Sequence, residues 1–564
     1  METQTGNNTY IPTKRQLFVL IPFALFYAAA AILGELEKAR DMGVLQNAGR
    51  FLLWAFGSYI ILLILCIVIF NKDVIAAKLP LLSSLPVQKS RKGKWYIYVF
   101  FTAVCLLGYL PYYLMYFPGW LNNDVVWQIE QALGWAERSN HHPYFHTVIL
   151  KYLFMTGYRL SGTYTGGAAF YTFFQVLVMA MVFGFFLYQL YIKGTRILWL
   201  VLAAAFYAVL PINALLTICM GKDEFFVAAL LFFAWMTAEF DPDADDMLKW
   251  VAYFAAGLLV CLLRSNGLFI FVGTAFFLII SKVTRRKALT DHIYEANVSV
   301  KTVLRDIIPV KTLLCVLAVL VCYLIYHGPI LNAMHVEPPD TIEGLTMPTQ
   351  HILCAYLKGG ELTEEEVEMI DRVVPVDEVG DYYNPRMFDL VKNYIRTSGN
   401  QQEIADNKGD YFKLWLRVGL RNPMQYMVAE VRQTAGFWAY DVPDYEYVYG
   451  EYYMVDNPFD IETQRKLFSY DNELAMHDYL MGFMELYNRV WSLGLNTWLM
   501  VFCIAYTVYD RRSIMIYVPF IMMFVTLLLA TPVYNEFRYA YGLFAAFPIL
   551  FSYSFGVKTD EKMV

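Results

Sequence analysis

Charge is scarce in this chain. Of its 564 residues only 17% are Asp, Glu, Lys or Arg, where a soluble globular protein carries about a quarter. The shortage excludes an ordinary water-soluble surface. The 58% hydrophobic content and the mean hydropathy of +0.41 point the same way. Cysteine is also sparse: Cys66, Cys105, Cys219, Cys261, Cys315, Cys322, Cys354 and Cys503 contain no C-x-x-C pair, and only Cys354 lies well inside a polar region. That pattern argues against a disulfide framework or a zinc ribbon. The formal charge of −6 provides no basic excess, so no nucleic-acid partner is expected. No internal repeat is visible.

Long apolar runs are what the chain does have. Runs of roughly 17–25 residues can cross about 30 Å of hydrocarbon. They recur near Gln16–Leu36, Phe51–Phe70, Trp95–Phe117, Ala168–Tyr191, Leu198–Ile218, Phe225–Phe240, Trp250–Leu263, Gly267–Ser281 and Thr312–Leu331. After a polar insert come Val490–Tyr509, Ser513–Thr531 and Tyr541–Phe555. The expectation is an all-α polytopic membrane protein with about twelve transmembrane helices. Residues 1–94 form a two-span unit with a basic loop, 95–331 a transmembrane module, 332–489 a small, mainly helical extracytoplasmic domain, and 490–564 the last spans and a tail. Lys14-Arg15 ahead of the first run also fits a signal peptide, but the run is long for a signal core and reads as an uncleaved span.

Basic residues set the orientation. Lys72, Lys78, Lys89, Arg91, Lys92 and Lys94 crowd one loop, Lys193 and Arg196 a second, Lys282, Arg285, Arg286, Lys287, Lys301 and Arg305 a third, and Arg511-Arg512 a fourth. All fall on the cytoplasmic side if Tyr144–Tyr158, only about 15 residues and interrupted by Lys151, lies at the interface instead of crossing. The protein is then a multi-pass plasma-membrane protein. Its outer face carries Asp124, Glu130 and the histidines, Lys222-Asp223-Glu224, Arg264-Ser265-Asn266, and Glu536 with Arg538.

The segment Phe117-Pro118-Gly119-Trp120-Leu121-Asn122-Asn123-Asp124 places a carboxylate where an apolar run leaves the bilayer. Asn122 or Asn123 suits a helix N-cap, and a helix N-terminus favours an ionised Asp124. Val125, Ile129, Ala132, Leu133 and Ala136 form an apolar stripe, opposite Gln128 and Gln131, so this helix is expected to float on the membrane. On spacing alone, Asp124 serves equally well as a first-turn capping carboxylate. His142 and His146, at i and i+4 after Pro143, permit a metal site with Asp124, although interfacial histidines more often bond backbone or head groups. Asp223 could cap its helix while Lys222 reaches the head groups. Arg264 on an outer turn runs against the positive-inside trend and calls for an anionic partner. In the insert, Thr363-x-x-Glu366 is a capping box, and Tyr411–Gly419 and Met424–Ala435 read as amphipathic helices. Tyr445, Tyr447, Tyr449, Tyr452 and Tyr453 crowd one loop, where membrane anchoring and sugar stacking are both open.

Taken in order, Pro-Gly…Asn-Asp with Gln128, His142-Pro-x-x-His146-Thr147, Lys222-Asp223, Arg264-x-Asn266-Gly267 and Glu536-x-Arg538-Tyr539 resemble the GT-C superfamily of membrane glycosyltransferases. The bacterial branch with the same run of short motifs is the nearest match. The resemblance covers the chain from Trp95 onward. It implies transfer of a sugar from a polyprenyl-phosphate donor to a cell-envelope glycan or lipid acceptor on the outer face. It makes Asp124 the base or acceptor-orienting acid and gives Asp223 an assisting or metal-binding role. Lys222, Arg264, Asn266, Glu536, Arg538, His142 and His146 become candidate substrate contacts. Neither acidic position carries the Asp-x-Asp pair of the metal-dependent oligosaccharyltransferases, so a divalent metal stays open and no other cofactor is implied. With one carboxylate as base and no evident enzyme nucleophile, displacement would invert the anomeric centre. An envelope polysaccharide polymerase or ligase, which would rely on arginines without a required carboxylate, is the alternative. A lipid or polymer transporter fits less well, because no paired broken helices appear.

The charge distribution yields a topology test. Cysteines introduced at Asn140 and Asn457 are expected to react with an impermeant reagent in intact cells, while one at Ser90 stays protected. Labelling at Ser90 would overturn the orientation.

Overall fold

The computed structural model describes residues 11–71, 91–239, 246–291, 309–439, 454–464, 466–467, 475, 478, 482, 492–510 and 512–555. Lys72, Lys78, Lys89, Lys301, Arg305, Arg511 and the five clustered tyrosines fall outside these, as do the side chains of Arg285, Arg286 and Lys287.

Among the described residues the regular structure is helical, with no strand beyond isolated two-residue bridges. Six helices are long and apolar enough to cross a membrane: Val44–Ile69, Trp95–Met115, Tyr164–Ile192, Ile197–Ile218, Gly267–Thr284 and Val310–Ala333. This is the composition of a multi-pass membrane protein. Shorter apolar helices include Met247–Leu263, Leu493–Tyr509 and Val518–Ala530. The expected span at Leu198–Ile218 is two helices, Ile197–Ala208 and Pro211–Ile218, because Pro211 starts a helix readily but cannot donate into the preceding one.

The apolar core is built from large residues such as Tyr109, Phe183, Tyr207, Phe233 and Tyr541, all buried. The hydroxyls of Tyr109 and Tyr207 are satisfied by backbone, Tyr109 donating to the Tyr207 carbonyl at 2.6 Å and Tyr207 to that of Ala545 at 2.8 Å, while Tyr541 donates to Asn213 Oδ1 at 3.0 Å. Such bonds join Trp95–Met115, Ile197–Ala208 and Phe537–Phe555 where no water competes.

The insert forms its own core of Ile342, Leu353, Phe388, Val391, Leu414 and Val418. Its expected helices are present as Lys408–Arg421 and Pro423–Thr434, and the Thr363/Glu366 capping box opens Glu364–Asp371. The insert also grips the membrane module at two places. Asn140 N–H donates to the Glu337 carbonyl at 2.8 Å and Glu337 N–H to that of Arg138 at 2.9 Å; Phe388 N–H donates to Pro532 at 2.8 Å and Tyr534 N–H to Arg386 at 3.0 Å. These are the loops leading to His142 and to Glu536.

A lysine stands at each end of the bundle. Lys193 pairs with Glu239 at one end of the 18-residue helix Lys222–Glu239, while Lys222 begins the other end, roughly 27 Å away at 1.5 Å per residue.

Candidate functional site

Two chain segments run side by side and deliver the first residues. Trp120 N–H donates to the Ile218 carbonyl at 3.0 Å and Met220 N–H to that of Trp120 at 2.8 Å. Each segment then turns directly into a helix, Asn123–Leu133 in one case and Lys222–Glu239 in the other. Gly119 makes this approach workable: its φ is +112°, and a Cβ there would meet Thr172 and the Ile218 carbonyl. Asn122 caps its helix by accepting from Val125 N–H at 3.0 Å. Asp124 is therefore free of the capping role and pairs with Lys222, Oδ2 to Nζ at 2.9 Å.

Lys222 Nζ also donates to His142 Nδ1 at 3.2 Å. Because an ammonium can only donate, Nδ1 is the acceptor nitrogen and the Nε2 proton faces Asp124 Oδ1, 3.6 Å away. Burial, with Lys222 adding to it, lowers the His142 pKa to about 2, so the imidazole is neutral at neutral pH. Burial opposes ionisation of Asp124, yet Lys222 and the neighbouring charges outweigh it and hold the carboxyl well below the usual range.

Asp223 forms an ion pair with Arg264 at 3.0 Å, and both side chains are largely buried. Burial disfavours the Asp223 carboxylate, but Arg264, then Lys222 and Arg538, keep it ionised below the usual range. The Arg264 guanidinium lies 4.6 Å from the centre of the Tyr539 ring. Arg538 Nε donates to Glu536 Oε1 at 3.0 Å, and its charge acts on Asp124, Asp223 and Glu224 alike. Asp124, Lys222, Asp223, Arg264, Glu536, Arg538 and His142, all expected from sequence, thus form one cluster.

Two expectations change, and Asn266 gains a partner within the protein. His146 is fully buried, with Nδ1 3.0 Å from Gln128 Oε1 and Nε2 2.6 Å from the Tyr171 hydroxyl, which itself donates to the Gly221 carbonyl at 3.0 Å. Both ring nitrogens are engaged, so His146 braces the turn before Lys222 and is not placed to touch a substrate or ligate a metal. No group of three or more metal-type ligands occurs among the described residues, and His142 and His146 do not share a site. Asn266 donates to Thr526 Oγ1 at 2.8 Å, tying its turn to Val518–Ala530. Finally, Asn123–Leu133 does not float on the membrane. Val125, Ile129 and Ala132 pack against Leu150, Phe154 and Tyr171. The polar face is buried as well, with Gln128 donating to Thr147 at 2.9 Å and Gln131 accepting from Ser139 N–H at 2.9 Å. Hydrogen bonds that amphipathicity does not reveal offset the burial of Gln128 and of the Gln131 carbonyl, while Gln131 Nε2 has no hydrogen-bond partner among the described residues.

One residue was missing from the expected set, and another, Glu224, was expected on the outer face without a role. Trp127, one helical turn beyond Asp124, sets its ring edge-on to His141 and His142 at 5.4 and 5.5 Å. The i+3 spacing was the available signal. Glu224 is 2% exposed, and its Oε2 has no hydrogen-bond partner among the described residues. It precedes the apolar run of its helix, and burial, reinforced by Asp223, pushes its pKa up to about 8.

The chain belongs to a family of unknown function, DUF6020, whose model matches residues 135–561. No curated protein matches it, and no solved structure matches it. The family match includes His142, Lys222, Asp223, Arg264, Glu536 and Arg538, whereas Asp124 precedes it.

Glu224 gives a pH prediction. Its folded pKa lies above the unfolded value, so the folded state holds one more proton between about 4.5 and 8. Raising the pH through that window costs stability, and the loss is complete above the folded pKa. Glu224→Gln, which mimics the protonated form, is expected to remove this component. The melting temperature of wild type in detergent should fall relative to the variant by several degrees from pH 5 to 9. Parallel profiles would show that Glu224 is ionised throughout.

Proposed function

We propose that this protein is a glycosyltransferase of GT-C type, with the twelve-span arrangement expected from its sequence. It would transfer a sugar from a polyprenyl-phosphate donor to a cell-envelope glycan or lipid acceptor, with its site on the outer face of a bacterial plasma membrane. The observation that carries the reading is the cluster itself. A carboxylate kept ionised, Asp124, stands beside Lys222, while Arg264 and Arg538 sit within electrostatic reach of the same group of acids.

The chemistry requires these parts. The acceptor oxygen attacks the anomeric carbon, the bond from that carbon to the phosphate oxygen breaks, and the electron pair leaves with the lipid phosphate. The acceptor proton passes to Asp124. Cations meet the charge that develops on the departing phosphate, and an arginine can hold two of its oxygens at once. A single displacement of this kind inverts the anomeric centre.

A carboxylate bound to an ammonium is a weak base. Asp124 gains basicity when Lys222 turns to an arriving phosphate, so donor binding and base activation are linked through one lysine. This linkage separates the reading from a purely structural ion pair. Positioned general bases contribute about 10²–10⁴-fold. Asp124→Asn is therefore expected to lose that much turnover from a polyprenyl-phosphate sugar, with donor affinity largely retained. Size-exclusion behaviour and melting temperature serve as folding controls. Near wild-type turnover in a folded variant would sink the assignment.

A further inference from the structure

The helical hairpin Lys408–Arg421 and Pro423–Thr434 presents an apolar edge that none of the insert's packing uses. Phe412, Leu416 and Leu420 recur every fourth residue, on one face of the first helix, at 62%, 47% and 75% exposure. Met424 and Met427 continue the edge past the Asn422-Pro423 turn at 62% and 55%. The opposite face supplies Leu414 and Val418 to the insert core, so the exposed residues are surplus to folding. Five large apolar side chains within sixteen positions form a patch that calls for a partner.

The hairpin's attachment identifies that partner. Gln433 donates to the carbonyl of Thr531, which follows the apolar helix Val518–Ala530, at 3.0 Å. Gly34, the last residue of the apolar helix Lys14–Gly34, lies against Ala439. Gly494, at the start of the apolar helix Leu493–Tyr509, meets the Ala439 backbone. Three apolar helices therefore end at the level of residues 433–439. Trp438, whose carbonyl accepts from the Trp498 indole at 2.8 Å, stands there too, and paired tryptophans are typical of the bilayer interface. The second helix of the hairpin ends at that level.

Charge supports the same partner. Lys413 and Arg417 flank the apolar stripe on one side at 67% and 54% side-chain exposure, and Lys408 is exposed on the other. Lys413 has Asp410 at 2.9 Å, an exposed pair of the kind that exchanges readily, while the exposed Arg417 has the buried Glu366 at 3.7 Å. An apolar stripe bordered by Lys and Arg is the pattern of a helix lying in the plane of a membrane surface. The hairpin is also braced as a unit. His351 stacks on Tyr426 at 4.7 Å and bonds Trp415 Nε1 at 3.2 Å, so both helices tilt together.

We propose that this hairpin is a membrane-surface anchor: Phe412, Leu416, Leu420, Met424 and Met427 enter the headgroup layer, with Lys413 and Arg417 on anionic lipid phosphates. The anchor fixes the insert at the bilayer surface on the side where it grips the loops of the candidate site. It holds whether or not the site transfers sugar.

The test uses the full chain in vesicles of phosphatidylglycerol and phosphatidylcholine, with Cys66, Cys315 and Cys322, the cysteines that are not fully buried, replaced by alanine. A bimane fluorophore is placed at Leu416, at Met424 or, as a water-facing control, at Glu368 of the helix Glu364–Asp371. Quenching by a lipid-attached nitroxide is expected to be at least about twofold stronger at Leu416 and Met424 than at Glu368, and quenching by aqueous iodide correspondingly weaker. Lys413→Glu combined with Arg417→Glu is expected to lower the lipid quenching at Leu416. Iodide access at Leu416 equal to that at Glu368 would overturn the anchor. Protection from both quenchers would also overturn it, because a protein surface or a second copy would then cover the patch. Unchanged lipid quenching in the charge-reversed variant would remove the phosphate contacts.

Discussion

Four helices begin at one place, and the positive ends of their dipoles shape everything around them. Asn123–Leu133, Lys222–Glu239, Gly267–Asp291 and Phe537–Phe555 all start within the cluster. Unpaired N–H groups at a helix start favour negative charge, and Asp124, Asp223, Glu224 and Glu536 occupy or border the first turns. Carboxylates in so apolar a protein would be costly alone. Lys222, Arg264 and Arg538 answer three of them, and the fourth, Glu224, is held protonated. The cluster is thus a consequence of helix ends meeting beside an apolar core, and among the described residues Asp124, Asp223 and Glu536 stand opposite Lys222, Arg264 and Arg538.

The insert belongs to this arrangement although it is remote in sequence. Its backbone clamps the loop before His142 at Glu337 and the loop before Glu536 at Arg386 and Phe388. Its side chains add a second grip: Glu343 takes His141 at 3.4 Å and Lys392 at 3.3 Å, and also pairs with Arg396. Two of the four polar segments are therefore oriented from outside the apolar bundle. A displacement of the insert would move His142 and Arg538 together relative to Lys222. If the hairpin lies on the lipid surface, the bilayer itself is one of the supports that fix this geometry.

The members of the cluster were legible in sequence wherever a polar group interrupted an apolar run, because only a partner or an exit from the membrane justifies such a residue. Asp124, Lys222-Asp223, Arg264, Glu536 and Arg538 were all found this way. The partner of each was not legible. The Trp120 and Ile218–Met220 pairing that sets Asp124 beside Lys222 is a backbone contact between segments about a hundred positions apart, and no side-chain pattern encodes it. His146 illustrates the converse error. Its i+4 spacing from His142 suggested a shared ligand, whereas the Gln128 and Tyr171 bonds that commit it to the interior depend on two other helices. The amphipathic stripe of Asn123–Leu133 was misleading for the same reason: glutamines that look solvent-facing in sequence are buried when their amides meet Thr147 and Ser139. Helix positions fared better, since apolar runs act locally, although the break at Pro211 inside Leu198–Ile218 was not expected.

The balance of charge limits how the cluster can accept an anion. With three cations opposite three carboxylates among the described residues, an arriving phosphate group would have to draw at least one cation away from its acid. Lys222 is the mobile candidate, since an ammonium on a flexible stem can change partners without losing hydrogen-bond geometry, whereas Arg264 is held between Asp223 and the Tyr539 ring. Drawing Lys222 away leaves Asp124 ionised beside the neutral His142 with only the more distant charge of Arg538 acting on it, and its affinity for a proton rises. A hydroxyl-bearing acceptor could deliver that proton, so the arrangement favours an anion and a proton source bound together over either alone. Glu224 lies on the buried side of the same exchange. Its own proton leaves more readily while Lys222 is near, and is held more firmly once Lys222 has moved. The cluster then avoids gathering a second bare carboxylate at the moment Asp124 loses its cation.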